Sequence, residues 1–291
     1  EDFDARLIQM GWDESRFDDT DWQKAILVKG PGGIMKPETD YPLRIMQSFE
    51  PKNISEMSDG NFVYDFGQNA SGIPEVHVSG SSGQTIVLTP GELTDDKGYV
   101  TQQASGGPSF FSYTAAGGGA EFWKPSFTYY GFRYIGVNGA VPADHPNPEG
   151  KPVIDKIIFH HTRNSSPSAG SFSCSNELFN QIYELIDWSV RSNLASVATD
   201  CPHREKLGWL EVPHLMGTSI QYTYNIQNLY GKIVDDMIDS QLDNGLVPDI
   251  APEFVTFQGG FRDSPEWGSS AVILPWYLYK WYGDKRPMER A

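Results

Sequence analysis

Between Thr199 and Glu211 the sequence reads Thr-Asp-Cys-Pro-His-Arg-Glu-Lys-Leu-Gly-Trp-Leu-Glu, the densest gathering of chemically able side chains in the chain. Carboxylates at Asp200, Glu205 and Glu211, the Arg204 guanidinium, the His203 imidazole and the Trp209 indole fall within it. Cleavage of an acetal such as a glycosidic bond needs one carboxylic acid to protonate the leaving oxygen. It also needs a second carboxylate acting on the anomeric carbon or on a water. Glu205 is the better acid, because Trp209 can desolvate it and Asp200 adds like charge, both of which raise a carboxyl pKa. Arg204 and Lys206 oppose that shift if they point inward, and the sequence leaves their direction open. A solvated loop can show the same mixture by chance, but Cys-Pro and Gly-Trp beside the charges argue for a packed one.

A second cluster, Phe261-Arg262-Asp263-Ser264-Pro265-Glu266-Trp267-Gly268, again pairs carboxylates with an indole. It reads equally as a sugar contact through Asp263, Glu266 and Trp267 and as a helix start, with Ser264 as cap, Pro265 first and Glu266 facing the dipole. Asp249 to Glu253 forms a similar, weaker loop.

Two kinds of element must position these groups. Before residue 165 short β-branched and aromatic runs alternate with Gly, Ser and Pro clusters. The runs are Phe62–Phe66, Glu75–Val78, Thr85–Leu88, Tyr134–Val137 and Val153–Phe159, and the pattern predicts a β-sandwich. After Asn164-Ser165-Ser166-Pro167 the period turns helical. Leu178, Ile182, Leu185, Ile186 and Val190 share a face behind a Ser175 cap, and a second helix opens at Pro213. A third carries Ile233, Val234 and Met237 and ends at Gly245. A fourth spans Ser270–Tyr282, with a kink or break at Pro275 and Gly283 as its cap. Gly11-Trp12 and Phe17 to Trp22 look like the last strands of another β module. We therefore expect three parts: 1–45, the end of a preceding β module; 46–165, the sandwich; and 166–291, the first part of a helical domain completed by another segment.

The run Asp200-Cys-Pro-His-Arg-Glu-Lys-Leu-Gly-Trp209 resembles the signature of bacterial α-L-rhamnosidases, glycoside hydrolase family 78. So does Asp263-Ser-Pro-Glu-Trp-Gly268, followed by Leu274-Pro-Trp276. Asp65-Phe-Gly-Gln-Asn69, Gly91-Glu92-Leu93 and Tyr130-Gly-Phe-Arg-Tyr134 are similar to the sandwich preceding that family's catalytic domain. The resemblance covers nearly the whole chain. It implies a jelly-roll-like sandwich joined to the first helices of an (α/α) six-hairpin barrel, and inverting release of terminal α-L-rhamnose. By position Glu205 corresponds to the general acid, while Asp200, Arg204 and Trp209 correspond to residues that hold the sugar, with His203 beside them. Many relatives carry an extra acidic residue before the Gly-Trp and a Gly-Asp soon after it. This chain has Glu205 alone, then Glu211-Val212, which makes Glu211 a substitute ligand or a rival acid. The family's general base lies on a later loop that this sequence does not contain, so the chain is expected to be inactive alone.

Composition narrows the alternatives. A net charge of −16 repels phosphate backbones and polyanions, which disfavours nucleic acid and a uronate-cleaving lyase. No apolar run approaches the roughly 20 residues of a membrane helix. Eight Trp and 14 Tyr suit stacking on sugar faces as well as core packing. The scattered histidines offer no short metal motif, and no cofactor is expected. Two cysteines, Cys174 and Cys201, can form one bridge, although two free buried thiols are the commoner case. A non-catalytic sugar-binding protein, or a helical-barrel glycosidase or lyase for another sugar, stays as the alternative. Localisation stays open, with periplasm or secretion favoured over cytoplasm.

Overall fold

The computed structural model describes residues 1–30 and 32–291. Twelve strands come first: β1 (Asp2–Asp4), β2 (Leu43–Phe49), β3 (Asn53–Glu56), β4 (Phe62–Gly80), β5 (Thr85–Gly91) and β6 (Leu93–Thr94). They continue as β7 (Val100–Thr101), β8 (Phe111–Thr114), β9 (Gly119–Trp123), β10 (Tyr130–Asn138), β11 (Val141–Pro142) and β12 (Val153–Asn164). Seven helices follow: α1 (Glu177–Asn193), α2 (Glu211–Leu215), α3 (Gly217–Thr223), α4 (Gln227–Ser240), α5 (Pro265–Gly268), α6 (Ser270–Tyr282) and α7 (Arg286–Arg290).

Ten strands form one sheet that curls on itself around β4. The runs Phe62–Phe66 and Glu75–Val78, expected as separate strands, are the two ends of this single 19-residue strand. Its first half pairs with β3 and β10, its second with β12 and β9, so one strand serves two layers. Gly72 lies at the crossover because a Cβ there would sit 2.0 Å from the His160 carbonyl oxygen. Alternate side chains point inward. Phe62, Tyr64, Phe66, Val76 and Val78 meet Phe132 and Phe159, whose rings are 4.0 Å apart. Truncating either ring would cost about 3–5 kcal/mol.

The segment ahead of β2 differs from expectation. Gly11-Trp12 and Phe17 to Trp22 form turns rather than strands, and Trp22 is tied to Gln9 by a 2.5 Å hydrogen bond. Among the described residues ahead of β2, only β1 joins the sheet, parallel to β8.

The helical half packs Leu229, Tyr230, Ile233, Val234 and Met237 of α4 against Leu274 and Leu278 of α6. Asn176, not Ser175, caps α1, its side chain accepting from Leu178 N–H at 3.1 Å. Most of the predicted apolar face of α1 is not its packed face: Leu178, Ile182, Leu185 and Ile186 are exposed and Val190 alone of the five packs on the helical core, while Trp188 packs on the sheet and Asp187 is buried. The expected second helix is two, α2 and α3, broken at Met216, and Pro213 is third in α2, where a missing N–H still costs nothing. Helix α4 stops at Ser240, and Gly245 (φ +87°) instead closes the turn after it. Pro275 does not break α6, which ends as expected at left-handed Gly283. Cys174 is exposed and Cys201 half-buried, both free, so neither is the buried thiol expected.

Candidate active-site loop

The loop from Asp200 to Trp209 is closed at its base within the helical half. Asp200 N–H donates to the Leu207 carbonyl at 3.4 Å, and Leu207 N–H donates back to Asp200 Oδ1 at 3.2 Å. Beyond Leu207 the backbone pairs with a second loop. Leu210 N–H donates to Asp249 O at 2.9 Å and Ala251 N–H to Gly208 O at 3.1 Å. Position 208 must be glycine because a Cβ would lie 2.6 Å from the Ala251 oxygen.

Inside this frame Glu205 is about a third exposed, its side chain 34% accessible. Trp209 Nε1 donates to its Oε2 at 2.9 Å and Arg204 Nε to its Oε1 at 3.1 Å. The sequence left the direction of the two cations open, and they diverge. Arg204 turns to the carboxylate. Lys206 turns away, its Nζ 2.5 Å from the Tyr129 carbonyl oxygen, and burial lowers its pKa. Oxygen atoms of Asp200 and Glu205 and the Cys201 sulfur lie within 4.8 Å of one another, a set of ligand types that can take a metal. Each Glu205 oxygen receives one N–H donor and keeps a second lone pair for another ligand.

Glu211 sits at the first position of α2, and its buried Oε2 has no hydrogen-bond partner. Trp267 Nε1, also buried and unpartnered, lies near it. Burial raises the Glu211 pKa, and the charges of Asp200 and Asp249 push the same way. Trp209 stacks on Phe257 with ring centres 5.1 Å apart and meets Trp267 edge-on at 6.4 Å. The aromatic wall thus joins both sequence clusters. Glu266 is exposed and Asp263 half-buried, and neither enters the hydrogen bonding around Glu205. Ser264 stands at the cap position of α5, yet its side chain does not cap. Its Oγ donates to Asp249 Oδ2 at 2.9 Å, and its N–H to Oδ1 at 2.7 Å.

His203 faces the sheet rather than the carboxylates. Its Nδ1 accepts the Arg204 N–H at 2.8 Å, so the proton of the neutral ring sits on Nε2, 3.2 Å from Glu92 Oε2. Asn69 holds the other Glu92 oxygen at 3.0 Å. Sequence reasoning missed Glu92, Tyr129 and Phe257 as parts of the site. The Gly-Glu-Leu motif carried the signal for Glu92, and none marked Phe257.

Residues 167–291 match the family model of the bacterial alpha-L-rhamnosidase 6 hairpin glycosidase domain, and residues 55–155 that of the bacterial alpha-L-rhamnosidase concanavalin-like domain. An α-L-rhamnosidase of Formosa agariphila is 31% identical over 97% of this chain and 30% of its own length. One from Streptomyces avermitilis is also 31% identical, over 100% of this chain and 28% of its own length. Among solved structures, the α-L-rhamnosidase from Dictyoglumus thermophilum superposes with a TM-score of 0.90 at 33% identity, over 99% of this chain and 32% of that one. The Streptomyces avermitilis enzyme, solved in complex with L-rhamnose, gives 0.85 at 30% identity, over 99% and 27%. This chain therefore spans under a third of the length of these relatives.

Proposed function

The chain belongs to the bacterial α-L-rhamnosidase family, and from that premise we propose that it supplies the acid half of a site releasing terminal α-L-rhamnose with inversion. One observation carries the reading: Glu205 is solvent-accessible, held by Trp209 and Arg204, and within 4.8 Å of Asp200. Glu205 then protonates the departing oxygen. Asp200 and Arg204 take the sugar hydroxyls, and Trp209 with Phe257 and Trp267 forms the wall on which the ring stacks. Asp263 and Glu266 border that wall from α5 and its approach.

The general base is contributed by a part of the polypeptide outside this sequence. The exposed apolar face of α1 supports that division, because Leu178, Ile182 and Leu185 present a surface suited to further helices of a hairpin domain. The parts divide near residue 165, where β12 ends.

A second reading makes Glu211 the acid, and its burial-raised pKa favours it. Hydrolysis of p-nitrophenyl α-L-rhamnoside by the full-length protein, with Glu205→Gln and Glu211→Gln beside it, separates the two. Loss of about 10²–10⁴-fold in Glu205→Gln alone supports Glu205. Loss in Glu211→Gln alone transfers the role. A protein that binds rhamnose and never cleaves it would return the chain to a sugar-binding function, and cleavage of a different glycoside would keep the architecture and change the substrate.

A further inference from the structure

Four of the five residues from Pro202 to Lys206 touch the β-sheet half, and the fifth is Glu205. Pro202 is buried against Gly131, where an added Cβ would be 2.5 Å from its ring. His203 Nε2 lies 3.2 Å from Oε2 of Glu92, the residue after β5, and its ring lies 6.1 Å from that of Tyr130. The Arg204 stem rests on Gly106. Lys206 reaches across the opening of β10. Its Nζ bonds the Tyr129 carbonyl and sits 4.7 Å from the Tyr129 ring centre and 5.7 Å from that of Tyr130.

Lys206 is also the one non-glycine residue with positive φ (+56°) among the described residues. A left-handed conformation disfavours a residue with a Cβ and persists where its surroundings over-determine it. Here the side-chain anchor supplies that determination. The twist at Lys206 turns the chain between two side chains that must diverge, Lys206 toward the sheet and Glu205 toward Trp209. Tyr130 stands between His203 and Lys206, so the loop straddles one fixed ring.

We propose that Lys206 and Glu92 are positioning residues for Glu205, clamping the acid-bearing loop onto the β domain so that proton donation depends on that contact. The proposal rests on Glu205 being the acid. A carboxyl displaced by even 1 Å from the leaving oxygen loses about 10²-fold in transfer. The sugar-binding wall of Trp209, Phe257 and Trp267 is built within the helical half and does not need the clamp.

The test uses the full-length protein carrying Lys206→Met, Lys206→Arg, Glu92→Leu or Glu205→Gln, assayed on phenyl and 2,4-dinitrophenyl α-L-rhamnosides. Phenolate needs a proton to leave, whereas dinitrophenolate does not. Lys206→Met and Glu92→Leu should lose about 10–10²-fold in kcat on the phenyl substrate. They should lose less than about threefold on the dinitrophenyl one, with KM little changed and Lys206→Arg largely restored. Equal losses on both substrates, or no loss on either, would overturn the clamp. Should Glu205→Gln lack the split between leaving groups, the acid assignment itself fails, and the clamp with it. If the protein cleaves another glycoside instead, the same two leaving groups on that sugar decide the matter; cleavage of no glycoside overturns both.

Discussion

The Trp209 indole donates a 2.9 Å hydrogen bond to Glu205 Oε2, four residues earlier, although neither residue lies in a helix. The pairing exists because Asp200 and Leu207 close the loop beneath it and Gly208 presses against Ala251. Trp209→Phe keeps the ring and removes the donor. A hydrogen bond to a charged group contributes about 1.5–3 kcal/mol, so kcat should fall by roughly tenfold or more in the full-length enzyme. KM should stay close to wild type because the stacking surface remains. Steady-state kinetics check this, and a rise in KM alone would assign Trp209 to binding only.

Glu211 gives a pH-dependent stability effect. Its folded pKa lies above the ordinary 4.5, so ionising it costs stability, and the cost appears as pH rises through the folded value. Glu211→Gln should melt higher than wild type at pH 7, with the difference shrinking toward pH 4. Calorimetry at the two pH values tests it; an equal shift at both would mean the carboxyl's charge is not the cause.

Acid stability should depend on His161. It is buried, donates through Nδ1 to the Ser71 carbonyl at 2.8 Å, and burial lowers its pKa to about 4. Because the folded pKa lies below the unfolded one, the unfolded chain takes up the proton first. Stability is then lost as pH falls from 6.5 toward 4, by about 3 kcal/mol at most. In His161→Asn, which keeps a donor for Ser71, urea unfolding should show a flatter dependence on pH over that range, whatever its absolute stability.

Asp249 ties the two sequence clusters together. The residue is 2% exposed, its carboxylate accepts the N–H and hydroxyl of Ser264, and it lies beside the backbone that pairs with Trp209. Asp249→Ala leaves those donors unpaired and should lower stability by about 2–4 kcal/mol. It should also weaken rhamnose binding, by loosening Trp267. Calorimetry and sugar titration read the two effects. Loss of stability with normal sugar affinity would separate Trp267 from the binding wall.

The sequence alone determined the division into a strand-rich and a helical half, since that information is local. A period of two gives way to a period near 3.6 at Asn164, and turn residues punctuate both. It also marked Asp200, Glu205 and Trp209, because chemically able side chains packed into one short loop stand out without a fold. Boundaries set by long-range contact were not legible. Two expected strands are one, β4, because β3, β9, β10 and β12 pair along its whole length. Four of the five residues of an expected face of α1 are exposed because Trp188 packs on the sheet instead. Only the tertiary structure decided which way Arg204 and Lys206 point. One cation faces the carboxylate beside it and the other a carbonyl 77 residues away, and residue spacing carries no record of the second distance.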